Sequence, residues 1–421
     1  MIRTQVLVVG AGPVGATAAY RLAKAGLDVL LIEAGTHCPE DMRASTLHPP
    51  TLEMLSSLGV LDELEAVGLR APVYHYLGRS SGAVVRFDLS ELSDLTPHPY
   101  RLQCEQFKLA RLMVERLRGL NPDCVRFNHR ALSFEQDTKG VRVSIETPME
   151  ILEVQADYVI ACDGSNSTLR KWTGAHFDGF TYPERFLTLS TRYPLHEDIA
   201  NLAQVNYVAD PGCWSVLLRV PDFWRVLVPT DAEIPDEYLL SDEKKTSVFD
   251  TLIQKGAEIE TYHRTLYRVH QRVASSFHFG RVLLAGDSAH LNNPLGGFGM
   301  NSSIHDIWNL TDKLLAIYQD GAEAQGALAL YDRQRRAVAH SFVQAQTIKN
   351  KELLEQAREH ELAAIAEDDE RRCPDFPGYA CGPAACLYDD HSGDSGLDGG
   401  DCHPHSQALD HLLRPLGGRM V

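Results

Sequence analysis

The amino-acid sequence predicts an α/β fold in which a parallel sheet flanked by helices is interrupted by a mostly antiparallel sheet. Glycine-rich turns follow short apolar runs near residues 10, 164 and 286, as they do where a buried parallel strand ends. Between the last two turns, apolar and polar residues alternate with a period of two. The chain has 421 residues, enough for two or three domains.

Composition excludes several classes of protein. The net charge is −17 and no Lys or Arg cluster is visible, so the chain is a poor nucleic-acid binder. No apolar run approaches the ~20 residues that span a bilayer. The N-terminus enters a strand almost at once, which argues against a signal peptide. Together with nine unpatterned cysteines, this favours reduced thiols and a cytoplasmic protein.

The first glycine-rich turn carries the clearest motif. The segment "VLVVGAGPVGATAAYRLAKAGLDVLLIEAG" reads as strand, G-x-G-x-x-G turn, helix and second strand, with Glu33 at the end of the second strand. Gly10 permits the turn, Gly12 lets a pyrophosphate approach the backbone, and Gly15 lets helix and strand pack closely. An acid at position 33 suits a ribose 2′-OH, so the motif predicts NAD or FAD rather than NADP. A purely structural turn is the alternative.

Two later strand ends repeat this pattern of glycine and acid. "ADYVIACDGSNSTLRKWTG" ends a strand at Asp163-Gly164 and turns into a short helix capped by Ser165 or Ser167. "FGRVLLAGDSAH" ends a strand at Gly286-Asp287, before a loop rich in glycine. With these three motifs in this order, residues 4–350 resemble the single-component FAD-dependent aromatic hydroxylases, the p-hydroxybenzoate hydroxylase-like flavoprotein monooxygenases.

The resemblance implies a Rossmann-like FAD-binding domain with an inserted, mostly antiparallel β-sheet substrate domain and C-terminal helices. The expected limits are 1–70, 101–175 and 272–325 for the FAD-binding domain, 71–100 and 176–271 for the substrate domain, 326–372 for the helices and 373–421 for an irregular tail. The residues it assigns to FAD are Gly10, Gly12, Pro13, Val14, Gly15, Glu33, Ala34, Arg43, Gln103, Asp163, Gly164, Gly286, Asp287, Pro294, Gly297, Gly299, Met300 and Asn301.

Some of these positions have specific implied roles. Arg43 would reach the FAD phosphates, Gln103 the ribityl chain, and Asp287 the ribityl hydroxyls. Pro294, the one implied catalytic position, would lie against the isoalloxazine, and a helix starting at Asn301 would point its N-terminus at that ring. Arg43 as a surface cation and Gln103 as an ordinary helix residue remain open alternatives. His290 and His48 read as packed histidines, and Cys162 as a small buried hydrophobe.

The alternating segments between residues 176 and 271 predict an antiparallel sheet that is open on one face, with a hairpin at Pro221-Asp222. An aromatic wall and one cation from this sheet would suit a phenol, which makes Tyr207, Trp214, Arg219 and Trp224 the candidate substrate residues. Ordinary sheet aromatics and an outward arginine are the alternative, since aromatic residues are common in strands.

The C-terminal segment lacks periodicity after Arg372 and is rich in Gly, Asp, Pro and His, which predicts a flexible tail or lid. Its cysteines and histidines match no standard zinc spacing, so no metal site is predicted.

The resemblance implies a reaction as well as a fold. NADH or NADPH would reduce FAD, O2 would add to form a flavin C4a-hydroperoxide, and its distal oxygen would hydroxylate a phenolic or polyketide-type aromatic substrate. The partners are then a small aromatic substrate and O2, with no nucleic acid and no membrane, and a homodimer is left open. The alternatives are a quinone or isoprenoid hydroxylase, a reductase, a halogenase, or a flavin-binding protein with little turnover.

Overall fold

The computed structural model describes residues 2–356 except 41, 43, 80–83 and 211–212. Its strands are β1 (Ile2–Val9), β2 (Val29–Ile32), β3 (Thr46–Leu47), β4 (Leu69–Ala71), β5 (Val73–Gly78), β6 (Val84–Asp88), β7 (Arg101–Gln103), β8 (Val125–Arg126), β9 (Arg130–Asp137), β10 (Gly140–Glu146), β11 (Ile151–Ala161), β12 (Phe177–Thr191), β13 (Val205–Ala209), β14 (Ser215–Arg219), β15 (Trp224–Thr230), β16 (His263–Ala274), β17 (His278–Phe279), β18 (Val282–Leu284) and β19 (His290–Leu291). Its α-helices are α1 (Pro13–Lys24), α2 (Pro49–Ser57), α3 (Leu61–Val67), α4 (Gln106–Leu120), α5 (Thr168–Thr173), α6 (Leu195–Asp198), α7 (Asp236–Leu239), α8 (Asp242–Ile253), α9 (Phe298–Gln319), α10 (Ala324–Val338) and α11 (Ala345–Gln356).

The first sheet has the order β17-β18-β11-β1-β2-β8, and β9 and β10 extend it through β11. The pairings β18–β11, β11–β1, β1–β2 and β2–β8 are all parallel. β2 is buried along its whole length, and α1 packs against it. On one side α1 packs against α4 and α9. The predicted Rossmann-like domain is confirmed.

The second sheet has the order β19-β16-β12-β15-β14-β13-β5-β6, and its neighbours are antiparallel except for β13 and β5. The predicted hairpin at Pro221-Asp222 joins β14 to β15. β5 and β6 bring the segment after residue 71 into this sheet. The expectation that one face is open was wrong, because Val248 and Phe249 of α8 pack on that face and bury it.

The C-terminal helices run back across the molecule. A π-helical segment, Ala339–Gln344, joins α10 to α11. Within the described residues, no helix is both long enough and apolar enough to cross a membrane. The predicted irregular tail, 373–421, with its cysteines and histidines, lies outside the described residues.

Candidate functional site

The three glycine motifs, far apart in sequence, lie side by side at one edge of the first sheet. Because β1, β11 and β18 are adjacent and parallel, their carboxyl ends meet there. Gly10 follows β1, Asp163-Gly164 follows β11, and Gly286-Asp287 follows β18. In open α/β sheets, ligands bind outside the carboxyl ends of the strands. This edge is therefore the candidate site.

The three glycines of the first motif meet different surroundings. A Cβ built at Gly10 would lie 2.3 Å from the carbonyl oxygen of Cys162, and one built at Gly15 would lie 2.0 Å from the carbonyl oxygen of Gly10. Strand, turn and helix can therefore pack this closely only without side chains at these two positions. A Cβ at Gly12 would meet no atom within 4 Å. Gly12 thus presents bare backbone to open space, as an approaching pyrophosphate requires.

Helix α1 begins beside Gly12 without a side-chain cap. Pro13 has no N–H, and the first helical hydrogen bond runs from the amide of Ala16 to the carbonyl of Gly12. The amides of Val14 and Gly15 therefore precede that bond, as the orphan donors of any helix N-terminus do. Such donors, together with the helix dipole, form an anion-binding site.

Glu33 holds the glycine turn in place. One oxygen of its carboxylate, Oε2, accepts a hydrogen bond from the amide of Ala11 at 2.8 Å, and Oε1 accepts one from the amide of Gly35 at 2.8 Å. Ala34 is exposed beside it. Each carboxylate oxygen has a second lone pair, so these bonds leave acceptor capacity for a ribose hydroxyl.

Asp163 organises the second motif. Ser167 donates its hydroxyl to Asp163, and the amide of Leu169 donates to the other carboxylate oxygen at 3.2 Å. Burial raises the pKa of Asp163, although these hydrogen bonds oppose the rise. Of the two candidate caps of α5, Ser167 is the one used, since its Oγ accepts from the amide of Arg170.

Arg170 is a residue that the sequence reading missed. Its guanidinium donates to the carbonyl of Ser165 at 2.8 Å and to the carbonyl of Ser288 at 3.0 Å, and it stacks over Phe177. It therefore ties the turn at Asp163 to the turn at Gly286-Asp287. The sequence carries little signal for this role, because Arg170 binds backbone carbonyls, and any residue at positions 165 and 288 would provide one.

The third motif rests on a buried ionic network. Asp306 of α9 accepts from Nε of Arg335 at 2.8 Å, pairs with His290 Nε2 at 2.8 Å, and accepts from the amide of Gly286 at 3.3 Å. His290 is thus packed, as predicted, while Asp287 stays partly exposed at the site. Burial alone would raise the pKa of Asp306, but the charges of His290 and Arg335 outweigh it and lower the pKa.

The loop that follows the third motif is anchored to α11. Asn293 is completely buried, accepts from the amide of Leu295, and donates its side-chain amide to the carbonyl of Thr347 at 2.9 Å. Its backbone amide donates to Gln271 of the second sheet. Pro294 is half-buried next to this anchor. The loop is therefore held between the second sheet and the C-terminal helix.

The helix after this loop starts earlier than predicted, at Phe298 rather than at Asn301. Gly296 and Gly297 have φ of 99° and 77°, a left-handed conformation that glycine adopts without strain. This turn reverses the chain before the expected point, so the first-turn amides belong to Phe298, Gly299 and Met300. The Asn301 side chain instead bridges loops, accepting from the amide of His48 and from Thr51.

A short three-stranded sheet, β3-β7-β4, closes the other side of the site. Gln103 is completely buried and accepts from Thr46 at 2.9 Å, while its Nε2 has no hydrogen-bond partner among the described residues. A Cβ at Gly297 would lie 3.5 Å from Thr46, which places this sheet against the glycine loop. Gln103 therefore offers an unused donor beside that loop. Arg43 lies outside the described residues.

The four candidate substrate residues are divided between the two faces of the second sheet. Tyr207 and Trp214 pack with Tyr74, Tyr76 and Leu227 on one face. Trp224 packs on the opposite face with Leu217 and Phe249, and Arg219 approaches its ring. Arg219 and Trp224 therefore do not share a surface with Tyr207 and Trp214.

His48 is buried next to this site, and its ring meets the ring of Phe298 in a T-shaped contact. Burial, followed by the positive charge of Arg101 and the neighbouring His305, lowers the pKa of His48 well below its usual value. In the unfolded chain the imidazole titrates near pH ~6.5. Below that pH the unfolded state binds more protons, so the free energy of unfolding falls by up to about 1.4 kcal/mol per pH unit until the folded pKa is reached.

We expect His48→Asn to remove this loss of stability on acidification, because asparagine does not titrate and is a good residue for the N-cap position that His48 occupies. Urea unfolding at about pH 5.5 and about pH 7.5 measures the loss of unfolding free energy in each protein. The other histidines are present in both proteins, so their contributions cancel in the comparison. Equal acid-induced losses in the wild type and the variant would contradict the assignment.

Comparison with known proteins gives a consistent set of similarities. A family model described as FAD binding domain matches residues 3–346. Para-nitrophenol 4-monooxygenase of Pseudomonas sp. (strain WBC-3) is 32% identical over 342 residues, which are 80% of this chain and 84% of that protein. The crystal structure of p-nitrophenol 4-monooxygenase from Pseudomonas putida DLL-E4 matches with a TM-score of 0.81 at 30% identity, covering 86% of this chain and 92% of that one. Aklavinone-11 hydroxylase, solved with FAD and aklavinone, matches with a TM-score of 0.74 at 26% identity, covering 83% of this chain and 69% of that one.

Proposed function

Because the chain belongs to a family of FAD-dependent aromatic monooxygenases, we propose that it uses NAD(P)H and O2 to hydroxylate a phenolic or polyketide-type aromatic ring. The observation that carries the proposal is the meeting of three glycine motifs at adjacent parallel strand ends, with bare backbone at Gly12. A dinucleotide needs this arrangement, whereas a purely structural turn has no use for open space at Gly12.

The residues at this edge fit FAD. The backbone at Gly12 and the amides of Val14 and Gly15 would hold the pyrophosphate, and Glu33 would accept from the adenosine ribose. The unused Nε2 of Gln103 fits an acceptor on the ribityl chain or the ring, and Asp287 lies at the same edge. The other positions assigned to FAD in Sequence analysis, including Arg43, remain part of this proposal.

Bound FAD would supply the redox chemistry, taking reducing equivalents from NAD(P)H and activating O2. The chain would supply position and electrostatics. The first-turn amides of Phe298, Gly299 and Met300 would stabilise negative charge at the ring. Pro294, held by the buried Asn293 anchor, would keep the loop against the ring. The aromatic face around Tyr207 would orient the substrate and exclude water.

Two relatives suggest the substrate class. One has a name that specifies para-nitrophenol, and another was solved with aklavinone. Both substrates carry a hydroxyl on an aromatic ring. A phenolic ring is therefore the feature that we propose for the substrate of this chain.

We expect the purified protein to carry a flavin absorption spectrum and to oxidise NADH or NADPH several-fold faster when a suitable phenol is added. The panel contains 4-nitrophenol, 4-hydroxybenzoate and aklavinone, with 4-methylanisole as a control that lacks a free hydroxyl. Mass spectrometry should find a product that has gained one oxygen atom or has exchanged a ring substituent for hydroxyl.

Other outcomes lead to different conclusions. Retained FAD without NAD(P)H oxidation on any member of the panel would support a flavin-binding protein with little turnover. Oxidation of NAD(P)H with an unchanged aromatic compound would support a reductase. A protein that purifies without flavin, and takes up none on reconstitution, would contradict the cofactor assignment itself.

A further inference from the structure

Arg101, the first residue of β7, is a buried cation without an acidic partner. It is 4% exposed, and its guanidinium stacks over the ring of Tyr74 at 4.0 Å and interacts with Tyr207. Among the described residues no carboxylate forms an ion pair with it, and its Nε and Nη1 have no hydrogen-bond partner. Arg101 is therefore surrounded by tyrosines and retains unused donors.

Two other buried arginines of this chain are paired with acids. Arg335, 3% exposed, pairs with Asp306, and Arg185, 7% exposed, pairs with Asp236. An arginine side chain cannot lose its charge in a protein, and burying an unpaired charge is costly. A buried guanidinium that has no acid in the folded chain is suited to a negative group that arrives from outside.

The position of Arg101 says where that group would bind. Arg101 and Gln103 lie two residues apart on β7, so their side chains leave the same face of the strand. Gln103 presents its free amide donor beside the glycine loop, and His48, which contacts Phe298, lies within electrostatic reach of Arg101. Arg101 therefore lies between the candidate flavin loop and the aromatic face of the second sheet.

The aromatic face completes the surroundings. The rings of Tyr76 and Tyr207 are stacked with their centroids 4.8 Å apart, and Tyr74 meets both rings edge-on. Arg225, 4% exposed on β15, adds a second cation and donates to Ser45. Aromatic walls with guanidinium donors suit a flat ring that carries a negatively charged oxygen.

We propose that Arg101 is a specificity-determining residue that binds an anionic oxygen of the aromatic substrate. The substrate class is an aromatic ring bearing a phenolate or a carboxylate. This inference rests on the proposed function, because it assumes that the aromatic face receives the substrate.

The test measures ligand binding rather than turnover. FAD-loaded protein is titrated with 4-nitrophenol, 4-hydroxybenzoate and the neutral 4-methylphenol, and the Kd is read from the change in the flavin absorption spectrum. Arg101→Met should weaken binding of the anionic ligand by about 10–100-fold, since a charge-assisted hydrogen bond is lost. Binding of 4-methylphenol should change by less than about threefold.

The two anionic ligands distinguish the source of the charge. Recognition of a phenolate predicts that 4-nitrophenol binds more tightly as rising pH ionises its hydroxyl near neutrality. Recognition of a carboxylate predicts tight binding of 4-hydroxybenzoate that does not vary over the same range.

The control is Arg192→Met, which removes an exposed arginine that stacks over Tyr262 at 4.6 Å, outside the site. It should leave every Kd unchanged. If Arg101→Met does not fold or lacks FAD, Arg101→Lys is used to test the proposal instead. It keeps the charge but not the planar fork, and should weaken anionic binding by about tenfold with neutral binding retained.

Equal losses for anionic and neutral ligands, or a wild type without preference for anions, would overturn the role of Arg101. Tight anion binding that depends on Arg101, without any NAD(P)H oxidation, would contradict the proposed function and leave the inference standing. The two failures are therefore distinguishable.

Discussion

Replacing Asp306 with asparagine should lower the free energy of unfolding by about 3–5 kcal/mol. The side chain keeps its shape, but Arg335 loses its buried counter-charge, and His290 and the amide of Gly286 lose a charged acceptor. Removing one partner of a buried ion pair leaves an uncompensated charge, which accounts for the size of the effect. Urea unfolding monitored by circular dichroism measures it.

The matched control is Asp312→Asn, on the same helix. Asp312 also pairs with an arginine, Arg21, but its side chain is 56% exposed. Exposed pairs contribute about 0–1 kcal/mol, so this variant should be nearly neutral. Similar losses in both variants would show that the Asp306 network contributes no more than a surface pair.

The pH dependence of the Asp306 effect follows from its lowered pKa. The folded pKa lies below the unfolded value of about 3.9, so the stabilisation is fully present above that pH and is lost as pH falls through the folded pKa. Titration of the Asp306 carboxylate itself should therefore change the difference in the free energy of unfolding between wild type and Asp306→Asn only below about pH 4.

Alanine at Gly15 and alanine at Gly12 should damage different properties. Gly15→Ala places a Cβ 2.0 Å from the carbonyl oxygen of Gly10, so the strand and the helix must move apart. Overpacking of this kind costs about 1–3 kcal/mol, and more where backbone atoms cannot yield. Gly12→Ala meets nothing within 4 Å and has a φ of −68°, which alanine adopts easily.

Gly12→Ala should therefore fold like the wild type and yet retain at least about tenfold less FAD, because the new methyl group occupies the approach of the pyrophosphate. Thermal unfolding of the apoprotein and flavin content per chain separate the two effects. Wild-type flavin content in a folded Gly12→Ala variant would remove Gly12 from the cofactor site.

Local signals explain what the sequence predicted well. The run from Val6 to Gly35 contains its own strand, turn, helix and second strand, and each boundary follows from residues within a few positions. The start of α9 lies outside that run: two consecutive left-handed glycines reverse the chain early, so the helix begins at Phe298 rather than at the expected Asn301.

The sequence could not predict which face of the second sheet each side chain occupies. Tyr207 and Trp224 both sit in alternating segments, and a shift of one residue in register exchanges the two faces. Register depends on pairing between distant strands and on α8, which covers the face of Trp224. A single strand therefore could not show that Tyr207 shares the face of Tyr74 and Tyr76 while Trp224 faces α8.

Asp306 and Arg335 were missed for a related reason. They lie on different helices, and nothing in the spacing between them marks a pair. Nothing in the sequence around Arg101 sets it apart, because Tyr74 and Tyr207, which surround it, come from other strands. Networks of this kind arise from tertiary packing rather than from periodicity.

The chain order of the first sheet has a consequence for biosynthesis. α1 is made early, but α9, which packs against it, ends at Gln319. At ~5–20 residues per second, roughly 15–60 s pass on the ribosome before that covering helix exists. A nascent chain interrupted before α9 lacks the helix that packs over α1, and its exposed apolar surface makes it a target for chaperones and proteases. Translation rate and chaperone supply should therefore govern the yield of folded protein.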